Sequence, residues 1–375
     1  MDNIFLSSGL AFLITFFAIP VIIEVAKDKK LFDEPGERKV HKAVIPTLGG
    51  LGIFGGFIIA TLIGVPPASA GVLQYFMAAI MIVFFMGIKD DILILTASKK
   101  FIGQLIAAGI VIKFGGIQIT DLFGIMGIHT LAPTVSFLLT LFTIVVITNS
   151  FNLIDGVDGL AGSLGLLTSV IFGLYFYFSG EPLYAVLALS LAGSLVAFLI
   201  YNFYPAKIFM GDTGSLLIGL INSILVIKFI TIASNPSSAI PLQSAPALGF
   251  AILLVPLFDT LRVVSHRILS RRSPFCPDRN HIHHFLLELG LSHKMIAFTC
   301  VITNILFIAL AYSLRSAGTS IVMLTLAGVA IFIVGIIYYN KPTRKLLVTD
   351  GHIHEEAIIK THKIITLAEE PIEQN

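Results

Sequence analysis

Charge is what this sequence lacks most. Of its 375 residues only 12% are Asp, Glu, Lys or Arg, while 56% are hydrophobic. Soluble domains carry about 25% charged residues, so the chain has half the polar surface that a water-soluble fold of this size needs. A soluble enzyme is excluded, and an integral membrane protein is implied. Cysteine is scarce too. Cys276 and Cys300 are far apart and fit neither a disulfide framework nor a metal-ligand spacing, so they read as small packing residues. The first residues, M-D-N-I-F-L, lack the basic n-region of a cleaved signal, and the first apolar run is expected to be a retained span. There is no internal repeat and no composition break before a polar stretch at 341–375, so 1–340 is expected to form one membrane-embedded domain followed by a solvated tail.

What is present is a series of long apolar runs. Eleven are long enough, or nearly so, to cross about 30 Å of hydrocarbon as helices. They lie near 4–25, 46–65, 72–88, 101–114, 132–149, 160–179, 183–203, 213–233, 246–269, 295–314 and 318–339. The fold class expected is an all-α polytopic membrane protein. Around 115–129 glycines punctuate an alternating pattern, which suggests a short surface hairpin. With eleven spans the connections alternate between two sides. One side and its adjoining helix ends take every Lys and Arg except Lys113, Lys228 and Arg315. The positive-inside rule makes that side cytoplasmic, with the N-terminus outside and the C-terminus inside.

The same alternation puts the polar clusters together on the cytoplasmic side. Lys39–Gly50 (K-V-H-K-A-V-I-P-T-L-G-G) offers His41 and Lys42 to an anionic ligand, although a basic run alone also serves as a headgroup anchor. Asp90 and Asp91 end the third span. Adjacent carboxylates point about 100° apart on a helix, so one can meet a metal while the other takes a proton or holds a neighbour. Lys99 and Lys100 follow at the start of the next span. Asn149–Ser163 (N-S-F-N-L-I-D-G-V-D-G-L-A-G-S) places Asn149, Asn152, Asp155 and Asp158 between two apolar runs, where each ionised group is costly. Their spacing of three lets Asn152 share a face with Asp155, and Asp155 with Asp158, with Asn149 on the far side. Asp212 in F-M-G-D-T-G-S opens the eighth span, where it either caps the helix or forms part of a phosphate and Mg²⁺ site. Arg279, His281, His283 and His284 in D-R-N-H-I-H-H suit phosphate or sugar hydroxyls better than zinc, since no further ligand stands at a suitable spacing. Asp259 and Arg262, three apart, read as a structural ion pair.

These five blocks in this order resemble the polyprenyl-phosphate N-acetylhexosamine-1-phosphate transferases (glycosyltransferase 4), the WecA/TagO branch more than the MraY translocases. The resemblance covers roughly residues 1–340. It implies transfer of a sugar 1-phosphate, GlcNAc-1-phosphate first among the candidates, from a UDP-sugar to undecaprenyl phosphate with release of UMP. That reaction initiates a cell-envelope polysaccharide at the cytoplasmic face of a bacterial inner membrane. The resemblance further implies Mg²⁺, with Mn²⁺ as the alternative, at Asp212 and Asp155. Asp90 or Asp91 becomes base or metal neighbour, Asp155 and Asp158 line the cleft, and His281, His283 and His284 contact diphosphate or sugar. The lipid bilayer is the surrounding partner, a homodimer is allowed, and nothing points to nucleic acid. Phospho-MurNAc-pentapeptide transfer is the alternative within the family, and an ion-coupled transporter the alternative outside it. Some relatives carry a third acid, Asp-Asp-x-x-Asp; here that position is Ile94.

Overall fold

The computed structural model describes residues 2–29, 45–93, 95–271 and 281–340, with two short strands beyond them. His41, Lys42, Ile94, Arg279 and most of the 341–375 tail therefore lie outside the described residues. Each apolar run of the sequence is helical. In order they are α1 (Asp2–Asp28), α2 (Gly49–Gly64), α3 (Ala70–Leu93), α4 (Ala97–Lys113), α5 (Pro133–Ile154), α6 (Leu160–Phe178), α7 (Pro182–Asn202) and α8 (Gly211–Ala233). After them come α9 (Ala245–Ile252), α10 (Leu254–Leu269), α11 (Ile282–Glu288), α12 (His293–Ser313) and α13 (Thr319–Tyr339). Among the described residues, eight of these helices are long and apolar enough to cross a membrane unaided. The helical preference has a simple cause: in hydrocarbon every backbone N–H and C=O must be satisfied within its own segment.

Burial sorts the helices into centre and rim. In α7 and α8, 83% and 78% of the apolar window is buried, against 22% in α1 and 17% in α13. The outer helices turn large side chains such as Phe17 and Phe332 outward, as a lipid-facing surface does. Helices in lipid gain little from the hydrophobic effect against each other, so close backbone approach holds them. Gly193 of α7 illustrates this, because a Cβ there would collide with the backbone oxygen of Ser8 in α1. α8 is surrounded by α2, α3, α5 and α6, which makes it the axis on which the site is built.

The hairpin expected near 115–129 is present as β1 (Asp121–Ile125) and β2 (Ile128–Thr130), paired antiparallel. Ser320 at the start of α13 accepts a hydrogen bond from the N–H of Met126 in its turn. One expectation is corrected. The run 246–269 is not a straight span; it breaks between α9 and α10 with an 82° bend. Pro256 has no N–H to give the C=O of Ile252 four residues before it, so the helical ladder breaks there, and a side chain of another helix makes good the loss. Asn304 of α12, fully buried, donates to the C=O of Ile252 (2.9 Å) and accepts from the N–H of Val255 (3.1 Å). It thereby replaces the backbone partners lost at the break. In the tail, β3 (Lys345–Leu347) and β4 (His362–Ile364) pair in parallel.

Candidate active site

The first turn of α8 is the meeting point of three sequence blocks. Gly211 there has φ +71°, a conformation glycine adopts without strain. Just before it, Phe209 donates its N–H to the C=O of Pro46, while Gly49 and Gly50 donate theirs to the C=O of Phe209 and Met210. The P-T-L-G-G block is thus zipped along F-M-G-D. A Cβ on Gly50 would strike the backbone nitrogen of Gly214, and one on Gly87 of α3 would come within 2.5 Å of Thr213 Cα. These glycines let α2 and α3 press against the N-terminus of α8.

Asp91 occupies that N-terminus. One carboxylate oxygen accepts the N–H of Asp212 (2.7 Å), and the other accepts the N–H and hydroxyl of Thr213 (3.1 and 2.5 Å). The cap of α8 therefore comes from α3, and the N–H groups that could have cradled a phosphate already hold an anion of the protein. Asp212 is left with its side chain free of capping duty. Its carboxylate meets the Lys100 ammonium from α4, which also sits 2.6 Å from Asp90. Asp90 in turn accepts the N–H of Leu95. Lys100, Asp90 and Asp212 all remain partly exposed, so a ligand can reach them.

The Asn149–Ser163 block supplies the next wall, and its four polar residues diverge. Asn149 exchanges hydrogen bonds with Gln104 of α4 (2.7 and 3.2 Å) and donates to the C=O of Val145, so its amide is occupied in tying α4 to α5. Asn152 donates to Ser215 Oγ (3.0 Å) and lies within hydrogen-bonding reach of the Asp212 carboxylate. Asp155, just past the end of α5, feels the carboxylates of Asp212, Asp91 and Asp158. Burial first, then those neighbours, push its pKa from 3.8 to about 8. Asp158 is buried and turned elsewhere. It takes His293 Nδ1 of α12 (3.2 Å) and the N–H of Ala206 (3.2 Å) in the segment leading to Asp212. It joins the two acid-bearing segments.

The histidine block forms the far wall. His281 and His283 are parallel, with ring centroids 5.7 Å apart, and His284 lies 4.3 Å from His283. His283 packs over Gly156, next to Asp155, where a Cβ would run into its imidazole. Burial, then the neighbouring His284, lower its pKa to about 3, so it is neutral at physiological pH, and its buried Nδ1 has no hydrogen-bond partner among the described residues. The side-chain roles thus split: a neutral imidazole suits a hydroxyl or amide better than it suits a phosphate.

Sequence reading named Asp90, Asp91, Asp155, Asp158 and Asp212; the fold brings four of them into one cluster and ties the carboxylate of Asp158 to His293 and the N–H of Ala206 instead. It did not single out Lys100. A lysine at the start of a membrane helix reads as an interfacial anchor, and only its ten-residue distance from Asp90 hinted otherwise. Gln104, which ties α4 to α5, Asn202, which accepts the N–H of Gly159 and donates to the C=O of Ile208, and His293, which holds Asp158, gave no signal. Among the described residues no three His, Cys, Asp or Glu stand in the geometry of a metal site. Mg²⁺ asks for less, one or two carboxylates with substrate phosphates and water supplying the rest. Among the described residues four carboxylates gather around one ammonium, an excess of negative charge that calls for a cation, so the donor set fits Mg²⁺.

Residues 73–230 match the model of glycosyl transferase family 4. The chain is 35% identical over 331 residues to the probable undecaprenyl-phosphate N-acetylglucosaminyl 1-phosphate transferase of Bacillus subtilis (strain 168), covering 84% of this chain and 87% of the relative. It is 36% identical over 312 residues to the decaprenyl-phosphate N-acetylglucosaminephosphotransferase of Mycobacterium leprae (strain TN), covering 76% and 77%. It is 28% identical over 289 residues to the undecaprenyl-phosphate alpha-N-acetylglucosaminyl 1-phosphate transferase of Escherichia coli (strain K12), covering 76% of each.

Proposed function

Because the chain belongs to glycosyl transferase family 4 and its polyprenyl-phosphate N-acetylglucosamine-1-phosphate transferases, we propose that it moves GlcNAc-1-phosphate from UDP-GlcNAc to undecaprenyl phosphate. The observation that carries this reading is Lys100 held between Asp90 and Asp212 at the capped start of α8. Two polyanions must meet in the reaction, and phosphoryl transfer depends mostly on positioning and charge neutralisation. An oxygen of the lipid phosphate attacks the β-phosphorus of the donor. The bond from that phosphorus to the bridging oxygen breaks, and UMP leaves.

The residues divide this work. Lys100 offsets negative charge on the phosphates, and Asp90 fixes its ammonium. Asp91 holds the first turn of α8, and with it Asp212, in place. Asn152, itself bonded to Ser215, orients the Asp212 carboxylate from the side. Neutral His283 presents a hydrogen-bonding imidazole beside Asp155. Arg279, Lys42 and His41 belong, on this reading, to the binding of diphosphate and nucleotide. Asp212 with Asp155 would hold Mg²⁺, or Mn²⁺ in its place, which when bound supplies charge neutralisation of the phosphates. The lipid phosphate is largely ionised at neutral pH, so Asp90 need only orient it or take a residual proton. The site opens, on this reading, at the cytoplasmic face of the bacterial plasma membrane.

The test uses purified protein, undecaprenyl phosphate, Mg²⁺ and a panel of UDP-GlcNAc, UDP-GalNAc and UDP-MurNAc-pentapeptide, with UMP release as the readout. UDP-GlcNAc should be preferred. Asp212→Asn should abolish release while folded protein is retained. Full activity in that variant overturns the assignment.

A further inference from the structure

The bend between α9 and α10 carries a side chain to the histidine block that a straight span would place elsewhere. Asp259 of α10 is buried, with 3% of its side chain exposed. Its carboxylate takes three donors: His281 Nδ1 (2.9 Å), the N–H of Ile282 (3.0 Å) and Arg262 Nη2 (2.9 Å). The first two belong to the start of α11. That helix has seven residues, too few to sustain itself, and the His281 side chain at its N-cap makes no capping bond of its own. Asp259 caps it from another helix and at the same time fixes which nitrogen of His281 carries its proton. The ring of His281 lies parallel to that of His283, and His283 lies over Gly156 beside Asp155.

A buried carboxylate paired with His and Arg is weak evidence for stability, since apolar side chains of similar volume often serve as well. What this one fixes is geometry. We propose that Asp259 is a positioning residue for the transfer reaction, acting through His281 and α11 to hold the histidine block against the Asp155 loop. The proposal rests on the transfer reading above. The hydrogen-bond partners of Asp259 among the described residues are His281, Ile282 and Arg262, so its influence passes through α11 and its imidazoles.

The experiment is steady-state kinetics of the full chain in detergent with UDP-GlcNAc, undecaprenyl phosphate and Mg²⁺. Asp259→Asn keeps the side-chain shape and should lower kcat about tenfold or more while KM for undecaprenyl phosphate stays within about twofold. Asp259→Glu keeps the charge and should recover kcat to within about threefold of wild type. In a His281→Ala background, Asp259→Asn should cost several-fold less than it does alone, because the route through His281 is already cut and only the cap on the N–H of Ile282 remains. Additive losses in that cycle, or wild-type kcat in Asp259→Asn, overturn the proposal. If neither Asp259 variant accumulates as folded protein while His281→Ala does, Asp259 is a folding residue and the proposal falls. A wild type that releases no UMP brings down the transfer reading and this proposal with it; an active wild type with an unaffected Asp259→Asn brings down the proposal alone.

Discussion

Asp155 and Asp158 show how far apart two residues of one motif can end. They stand three positions apart in the same loop, yet Asp158 is bound by His293 and Ala206, whereas Asp155 faces the carboxylates of Asp91 and Asp212. With its pKa raised to about 8, Asp155 is protonated at neutral pH in the metal-free protein. A cation must displace that proton, so apparent Mg²⁺ affinity should strengthen as pH rises from about 6 to about 9, by up to roughly tenfold per unit below the pKa. The sign follows from the raised value: ionisation, and with it the competence to hold a cation, is gained as pH rises through it. Titrating Mg²⁺ at each pH with UMP release as the readout checks this, and Asp155→Asn should flatten the dependence. An unchanged slope in that variant would remove Asp155 from the metal. The existence of this acidic island was legible in the sequence. Which carboxylate faces the ligand was not, because periodicity fixes direction along one helix and says nothing of what a neighbouring helix supplies.

At the scale of elements, the site depends on α8 being seated tightly against α2 and α3. Gly50 and Gly87 are the contact points, where an added Cβ meets the backbone of Gly214 and Thr213. Backbone atoms cannot rotate aside, so Gly50→Ala or Gly87→Ala should force the helices apart at about 1–3 kcal/mol of overpacking strain. Both variants should show a lowered thermal midpoint and reduced UMP release. Gly55→Ala and Gly109→Ala are the controls: among the described residues no atom of another element lies within 4 Å of their added Cβ, and alanine favours a helix, so they should be neutral or mildly stabilising. Equal losses in all four would show that glycine content, not the seat of α8, matters. Hydropathy located α2, α3 and α8 within a few residues. It read 246–269 as one span because the run has the length for one; the local signal for the break is Pro256, and the side chain that satisfies the groups it orphans, Asn304, lies about fifty residues downstream in a helix that looks ordinary.

For the whole molecule, the distribution of Lys and Arg argues an orientation that cysteine labelling can test. Single cysteines at Ser238, in the α8–α9 connection, and at Lys207, in the α7–α8 connection, face opposite ends of the bundle. In a background without Cys276 and Cys300, a membrane-impermeant maleimide should label Ser238→Cys in intact cells and Lys207→Cys only after permeabilisation. The reverse pattern would put the carboxylate cluster outside. Sequence alone determined that this chain lives in a membrane, where its helices run, and which polar blocks gather at one end. Those facts follow from composition, run length and alternation, each a property of local sequence summed along the chain. Only the tertiary structure decided that Asp91 caps α8, that Lys100 stands between Asp90 and Asp212, that Asp158 is tied to His293, and that Asp259 reaches His281. Each of these is a partnership between helices distant in sequence, set by how closely glycine lets backbones approach and by the need of every buried polar group to find a partner.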